Sequence, residues 1–334
     1  MRLIVTNTDS GAGAIKAARI ADRVLYLGHN LTHSPAPTAG CIEDFFQTRS
    51  RQTSKDREDW ETAIDEHAAQ TINTVLSDSS PYHSIELWMD PDTNSQLQLI
   101  QILSALNASS MQSRIKIFHA SKAIGEHEPT QLPSAPEFQD CTASVLGLGA
   151  SCWRAFTNAS PANWFELLQR DDLELLPNIQ RAIIRMLAEL PAAQNGLSQS
   201  QKDVVELVSQ GAKCAKEILA TLIQTGAAIG GYWQTGQILG GLAQCDLPAI
   251  SGLPNTRFDL ALHDDERAHS EYMSSTISLT EFGERLLNND ADYAERNKLD
   301  YWWAGTHITN LNLWRWSAAT TQLIAPHEGH NSAG

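Results

Sequence analysis

A chain of 334 residues is longer than one hydrophobic core ordinarily serves, so two or three domains are expected. With 42% hydrophobic and 19% charged residues the composition is globular and excludes a disordered chain. The 39 acidic against 24 basic side chains give a net charge of −15, a field that repels phosphate backbones and disfavours nucleic acid as a partner.

Taken in chain order, "RLIVTN" reads as a strand, "GAGAIKAARIA" as a helix and "RVLYLG" as a second strand. "DREDWETAIDEHAAQTINTVL" reads as a long helix, "SIELWMD" as a strand, "SQLQLIQILSALN" as a helix and "RIKIFHA" as a fourth strand. Alternation of this kind predicts a Rossmann-like α/β domain with a parallel sheet over residues 1–135. From 136 to 194 the pattern is helical, with apolar residues three and four apart, and predicts a connector. Residues 195–326 then open with Ser198 and Gln201 at capping-box spacing and continue as three helices, a closing helix capped by Thr280 and a Trp-rich segment. That order predicts a winged-helix-like α+β domain, with the wing hairpin inside "TRFDLALHDDERAHSEYMSS" and a frayed tail at "PHEGHNSAG".

The N-terminus enters a strand without a charged leader, and no apolar run approaches the ~18 residues of a membrane span, so a soluble, cytoplasmic protein with no membrane partner is expected. Five widely spaced cysteines with no CxxC pair fit reduced thiols.

Open parallel sheets bind ligands beyond the carboxyl ends of their strands, where loops and helix N-termini are exposed. Four loops are therefore singled out. The first, "TNTDSGAG", offers Asn7, Asp9, Ser10 and Gly11 as ligand contacts, with Gly11 and Gly13 allowing close backbone approach, although it is neither a GxGxxG nor a Walker loop. Either Asp9 or Ser10 also suits a plain helix cap. The second, "GHNLTHSPAP", holds His29 and His33. The third, "MDPDTNSQ", holds Asp90 and Asp92, with Thr93 and Gln96 at capping-box spacing, and His119 follows the fourth strand. Histidine with carboxylate is what a general acid-base pair or a divalent metal needs. His29, Asp90 and Asp92 are the candidate catalytic groups; Gln96 and His119 join the ligand contacts; His29, His33 and Asp92 are the candidate ligands of a metal. Turn, cap or satisfied histidine is the structural alternative for each.

Two further stretches bear on function. Between Ala227 and Asn255, where a recognition helix would fall, there is no Lys or Arg, and Asp246 is the single charge; the nearby cations are Arg257 and Arg267. Groove binding needs cations at phosphates, so a protein-interaction or structural role is expected there. "DYWWAGTHITNLNLWRWS" gathers Tyr301, Trp302, Trp303, Trp314 and Trp316 around one cation, Arg315, and reads as a core plug and not as a base-stacking platform.

The segments "IVTNTDSGAGAIKAA", "LWMDPDTNSQLQLIQIL", "NGLS", "LTEFGERLL" and "LDYWWAGTHI…WRW", in this order, resemble the bacterial family known as domain of unknown function 1835. In that family the first loop commonly reads Gly-Asp-Ser where Thr8, Asp9 and Ser10 stand, and Asp92 and Gln96 match its third loop. His29 stands in place of an Asp, Ser34 of a Gly, Pro91 of a His and Ser95 of an Asp. The resemblance implies this architecture and a site at the strand ends. The expected function is a small-molecule enzyme acting there on a phosphorylated or nucleotide-like ligand, with an assisting divalent metal left open. The alternative is a non-enzymatic ligand-sensing regulator that meets a protein partner through its winged-helix-like part.

Overall fold

The computed structural model describes residues 1–53, 58–77, 81–107 and 114–326; the first two residues of the expected long helix, Asp56 and Arg57, and the tail from His327 lie outside that range. The chain divides into two units, Met1–Ile184 with Ala304–Thr306, and Arg185–Trp303 with His307–Gly334. The helical stretch 143–166 thus belongs to the first unit.

In the first unit the order is β1 (Arg2–Thr6), α1 (Asp9–Ala18), β2 (Arg23–Tyr26), α2 (Ile42–Thr53), α3 (Asp59–Leu76), β3 (Ser84–Met89), α4 (Thr93–Leu106), β4 (Ile115–His119), β5 (Gln139–Asp140), α5 (Ala143–Phe156) and α6 (Ala162–Glu166). The strands form one sheet in the order β2-β1-β3-β4-β5, parallel except for β5, which pairs antiparallel with β4. Ile4 lies opposite Val24 on one side and Glu86 on the other, and Leu87 lies opposite Ile117. This is the α/β fold with a mostly parallel sheet that strand-helix alternation predicts.

Burial explains the strand sequences. Leu3, Ile4, Val5, Ile85, Leu87, Trp88 and Met89 are fully buried, as continuous apolar runs in a two-faced sheet should be. The exception inside β3 is Glu86, buried yet held by both Nε and Nη2 of Arg2, at 2.7 and 2.8 Å, and by the indole N–H of Trp88 at 2.9 Å. A buried carboxylate survives only with such partners.

α4 is unusual. Ser95, Gln96, Gln98 and Gln101 are all buried along with its leucines and isoleucines. Against α5 the approach is close enough that a Cβ on Gly149 would meet Leu103 at 2.4 Å.

α7 (Ile179–Leu187) runs across the division between the units. The second unit then has α8 (Gln199–Ser209), α9 (Ala215–Gln224), α10 (Gly231–Ala243), β6 (Ile250–Ser251), α11 (Leu260–Asp264), α12 (Glu266–Ser274), β7 (Ser278–Leu279), α13 (Glu281–Leu287), α14 (Tyr293–Arg296), β8 (Asp300–Trp303), β9 (Thr306–Thr309), β10 (Arg315–Ser317) and β11 (Gln322–Ile324). Ser198 and Gln201 form the capping box at the start of α8, and Thr280 caps α13 through the N–H of Gly283 at 3.0 Å. The expected wing hairpin is absent from residues 256–275. Asp259 and Asp265 cap α11 and α12 there instead, and β6 and β7 pair over two residues each.

In the Trp-rich segment, Trp303 is buried and donates its indole N–H to the carbonyl of Met186 at 2.7 Å. Trp316, also buried, lies on β10, while Arg315 beside it pairs with Asp292 at 2.7 Å. Tyr301, Trp302 and Trp314 are half-buried.

Candidate functional site

The order β2-β1-β3 places the switch in winding direction between β1 and β3, the position at which open parallel sheets bind ligands beyond their carboxyl edge. Asn7 follows β1 and Asp90 follows β3, so the two flank that switch.

They are bonded to each other. The Asn7 amide Nδ2 donates to Asp90 Oδ2 at 2.8 Å, and the Asp90 backbone N–H donates back to Asn7 Oδ1 at 3.4 Å. The second carboxylate oxygen, Oδ1, accepts the backbone N–H of Ile124 at 2.8 Å, and the backbone carbonyl of Asp90 accepts Gln96 Nε2 at 2.8 Å. Asp90 is 3% exposed. Burial pushes its carboxyl up from 3.8 to about 6, against the opposing effect of the bonds from Asn7 and Ile124. The negative charges of Asp92 and Glu126 push the same way as burial. Gln96 is fully buried, and its Oε1 has no hydrogen-bond partner among the described residues.

The first loop is a tight strand-to-helix turn. Its cap is Thr8, whose Oγ1 accepts the Gly11 N–H at 3.1 Å, so neither Asp9 nor Ser10 fills that role. Both stand exposed at the first turn of α1. Gly11 does make a close approach, but to its own chain: a Cβ there would meet the hydroxyls of Thr8 and Thr6 at 3.1 and 3.2 Å and Ile124 at 3.6 Å. A Cβ on Gly125 would meet Ser10 Oγ at 2.6 Å. The short turn Ile124–Glu126 after β4 therefore lies against the start of α1.

His29 and His33 lie in the loop after β2, entered through Gly28 at φ +77°, a left-handed conformation that leaves no room for a side chain beside Tyr26. His29 is 1% exposed, and its Nε2 pairs with Gln101 Oε1 on α4 at 2.8 Å. Its backbone carbonyl accepts Gln98 Nε2 and Asn94 Nδ2. Burial first, and then the Arg49 guanidinium, pull the imidazole down to about 4, so it is neutral at physiological pH. Among the described residues it shares no hydrogen bond with Asp90 or Asp92; it belongs to a separate cluster facing α4. His33 Nδ1 is paired with the hydroxyl of Thr32 at 3.1 Å.

Asp92 caps α4, accepting the Ser95 N–H at 3.1 Å and the Ser95 hydroxyl. The cap is thus Asp92 and not Thr93, and Gln96 is turned toward the Asp90 carbonyl. His119 ends β4 with Nε2 on Gln139 Oε1 at 2.6 Å, and burial lowers its pKa. Among the described residues, no group of three or more His, Cys, Asp or Glu side chains converges as a metal site, so His29, His33 and Asp92 do not assemble one.

Of the expected site residues, Asn7, Asp90 and Gln96 come together at the switch, with Asp9, Ser10 and Gly11 on the adjoining turn. The backbone of Ile124 was missed. A main-chain donor leaves no residue-type signal, and its position follows only from the path of the chain after β4.

No family model matches the chain, and no curated protein matches it. Among solved structures it is similar to the Plasmodium falciparum topoisomerase II DNA-binding, cleavage and re-ligation domain at a TM-score of 0.35 and 12% identity, with 97% of this chain and 54% of that chain covered. The chain thus spans about half the length of that structure, and a likeness so distant carries no argument about function. Among the described residues no helix is long and apolar enough to cross a membrane.

Proposed function

We propose that the protein is a small-molecule enzyme whose ligand binds at the carboxyl edge of the sheet, between the ends of β1 and β3, with Asp90 as its acid-base group. The observation that carries this reading is the buried Asp90 carboxyl, lifted to about 6 at the switch in strand order. A carboxyl titrating near neutrality can both hold and release a proton at working pH, and such groups gather at functional sites. The resting bonds from Asn7 and Ile124 orient it. Because Asp90 is closed from solvent, the Ile124–Glu126 turn must lift from α1 for a ligand to reach it. Beside it stands the first turn of α1 with the exposed Ser10 hydroxyl, and a helix N-terminus suits a phosphorylated or nucleotide-like ligand.

The test is thermal stabilisation of the purified protein by nucleotides and sugar phosphates, with and without divalent ions, followed by turnover of any compound that stabilises it. The reading expects one ligand class to raise the melting temperature, Ser10→Ala to weaken that effect, and Asp90→Asn to abolish turnover while leaving binding. A panel with no hit, or turnover that survives Asp90→Asn, overturns it.

A second reading is a ligand-sensing regulator whose second unit meets a protein partner. It is favoured by α10, which carries no charged residue and begins with Tyr232 and Trp233, their rings 5.2 Å apart and joined by Phe258 and His263. Such a surface suits a protein and not a phosphate backbone. Tight, salt-sensitive duplex binding would contradict it.

A further inference from the structure

A cleft lies in the first unit, apart from the strand ends, with a volume of about 520 Å³. Its two walls have the same construction. Ser151, Arg154, Ala155 and Asn158 line it from α5 and the residues just beyond. They follow the i, i+3, i+4, i+7 spacing of one helix face. Asn163, Glu166, Leu167 and Arg170 line it from α6 and the turn that follows, at the same spacing. In each strip the i+4 residue, Ala155 or Leu167, is buried and the other three are polar.

The charges are arranged for two signs. Arg154 donates to Ser151 Oγ at 3.2 Å and has no carboxylate partner among the described residues. Asp172 grips Arg170 through Nε and Nη2 at 2.8 and 2.7 Å, which fixes the guanidinium plane and leaves three of its five N–H donors over. Neither Glu166 nor Asn163 makes a side-chain hydrogen bond among the described residues, and Glu166 is exposed. The cleft is open to solvent, and its small apolar floor between polar rims offers a seat to a small molecule with charged ends.

We propose that this cleft binds a small zwitterion of the amino-acid class, a free amino acid or a short peptide. The guanidinium groups of Arg154 and Arg170 take its carboxylate, Glu166 takes its ammonium, and Ala155 and Leu167 face its apolar part. Planar N–H forks match a carboxylate in two-point contact, which an isolated ammonium does not. A simple anion would leave Glu166 opposed to it, and a simple cation would leave Arg154 opposed.

Isothermal titration and amide chemical-shift mapping with free amino acids and dipeptides, each beside its N-acetylated and its C-amidated form, test this. The expected result is binding that needs both charges, with shifts confined to residues 151–170, and a Kd raised on the order of tenfold by Arg154→Gln and by Glu166→Gln. Both side chains are exposed, so circular dichroism should report a fold unchanged by either substitution. Absence of binding across the panel, equal binding of blocked forms, or equal binding of acetate or inorganic phosphate overturns the proposal.

Discussion

The Asp90 cluster at the strand ends and the polar cleft along α5 and α6 differ in access to water, and their chemistry divides accordingly. At the strand ends, Asp90 is enclosed, hydrogen-bonded four times counting its backbone N–H and carbonyl, and lifted to about 6 by burial. Along α5 and α6, Arg154, Glu166 and Arg170 are exposed, and their charges are held in water. Enclosure makes a group able to exchange a proton near neutrality, at a cost to stability; exposure makes a surface that can recognise charge at almost no cost. Substitutions should therefore act mainly on stability and its pH dependence at the first cluster, and mainly on binding at the second.

The largest effects are expected from pH linkage. The folded Asp90 carboxyl titrates near 6 and the unfolded one near 3.8, so the folded chain holds that proton more tightly and its stability falls as pH rises through this window. His29 works in the opposite sense: it titrates near 4 when folded and near 6.5 when unfolded, so stability falls as pH drops through that window. Each shift corresponds to roughly 3 kcal/mol, and in the native protein the two largely offset one another. In denaturation curves from pH 4 to pH 6.5, Asp90→Asn should gain on the native protein by roughly 3 kcal/mol as pH rises, and His29→Gln by a similar amount as pH falls. Parallel curves for all three proteins would break the comparison.

A smaller effect is expected at Asn7. Asn7→Ala leaves Asp90 Oδ2 without its amide donor and should destabilise by about 2 kcal/mol. It should also move the Asp90 midpoint further up, since the lost bond favoured the charged form. Next is Gly125→Ala, which crowds Ser10 and should lift the Ile124–Glu126 turn off α1 for about 1 kcal/mol, with faster amide exchange at Ile124 as its signature. Smallest is Arg154→Gln, which should change stability by less than about 0.5 kcal/mol while weakening the zwitterion's binding on the order of tenfold.

Much of the first unit was legible in the sequence, because β-branched runs such as "RLIVTN" and the 3.6-residue period of α3 and α4 have few competing readings. Caps were legible where one residue had the right neighbours, as at Ser198 and Thr280, and ambiguous where several did. Thr8, Asp9 and Ser10 are all good caps, and which one serves depends on a backbone angle that composition does not carry. Residues 256–275 form two short helices in place of a hairpin because Asp259 and Asp265 each cap a helix there, a local signal that outweighs the domain order. The candidate site was half visible. Asn7 and Asp90 could be singled out as strand-end residues, but their pairing needs the strand order, and the gathering of His29 with Gln98 and Gln101 needs α4 to be covered on its polar side as well.

The most direct test is a carbon-detected NMR titration of the Asp90 side-chain carboxyl in the native protein. A midpoint near 6, moving upward in Asn7→Ala, is the predicted result. A midpoint at or below the ordinary 3.8 would make Asp90 a fixed, charged structural strut and contradict its assignment as the acid-base group.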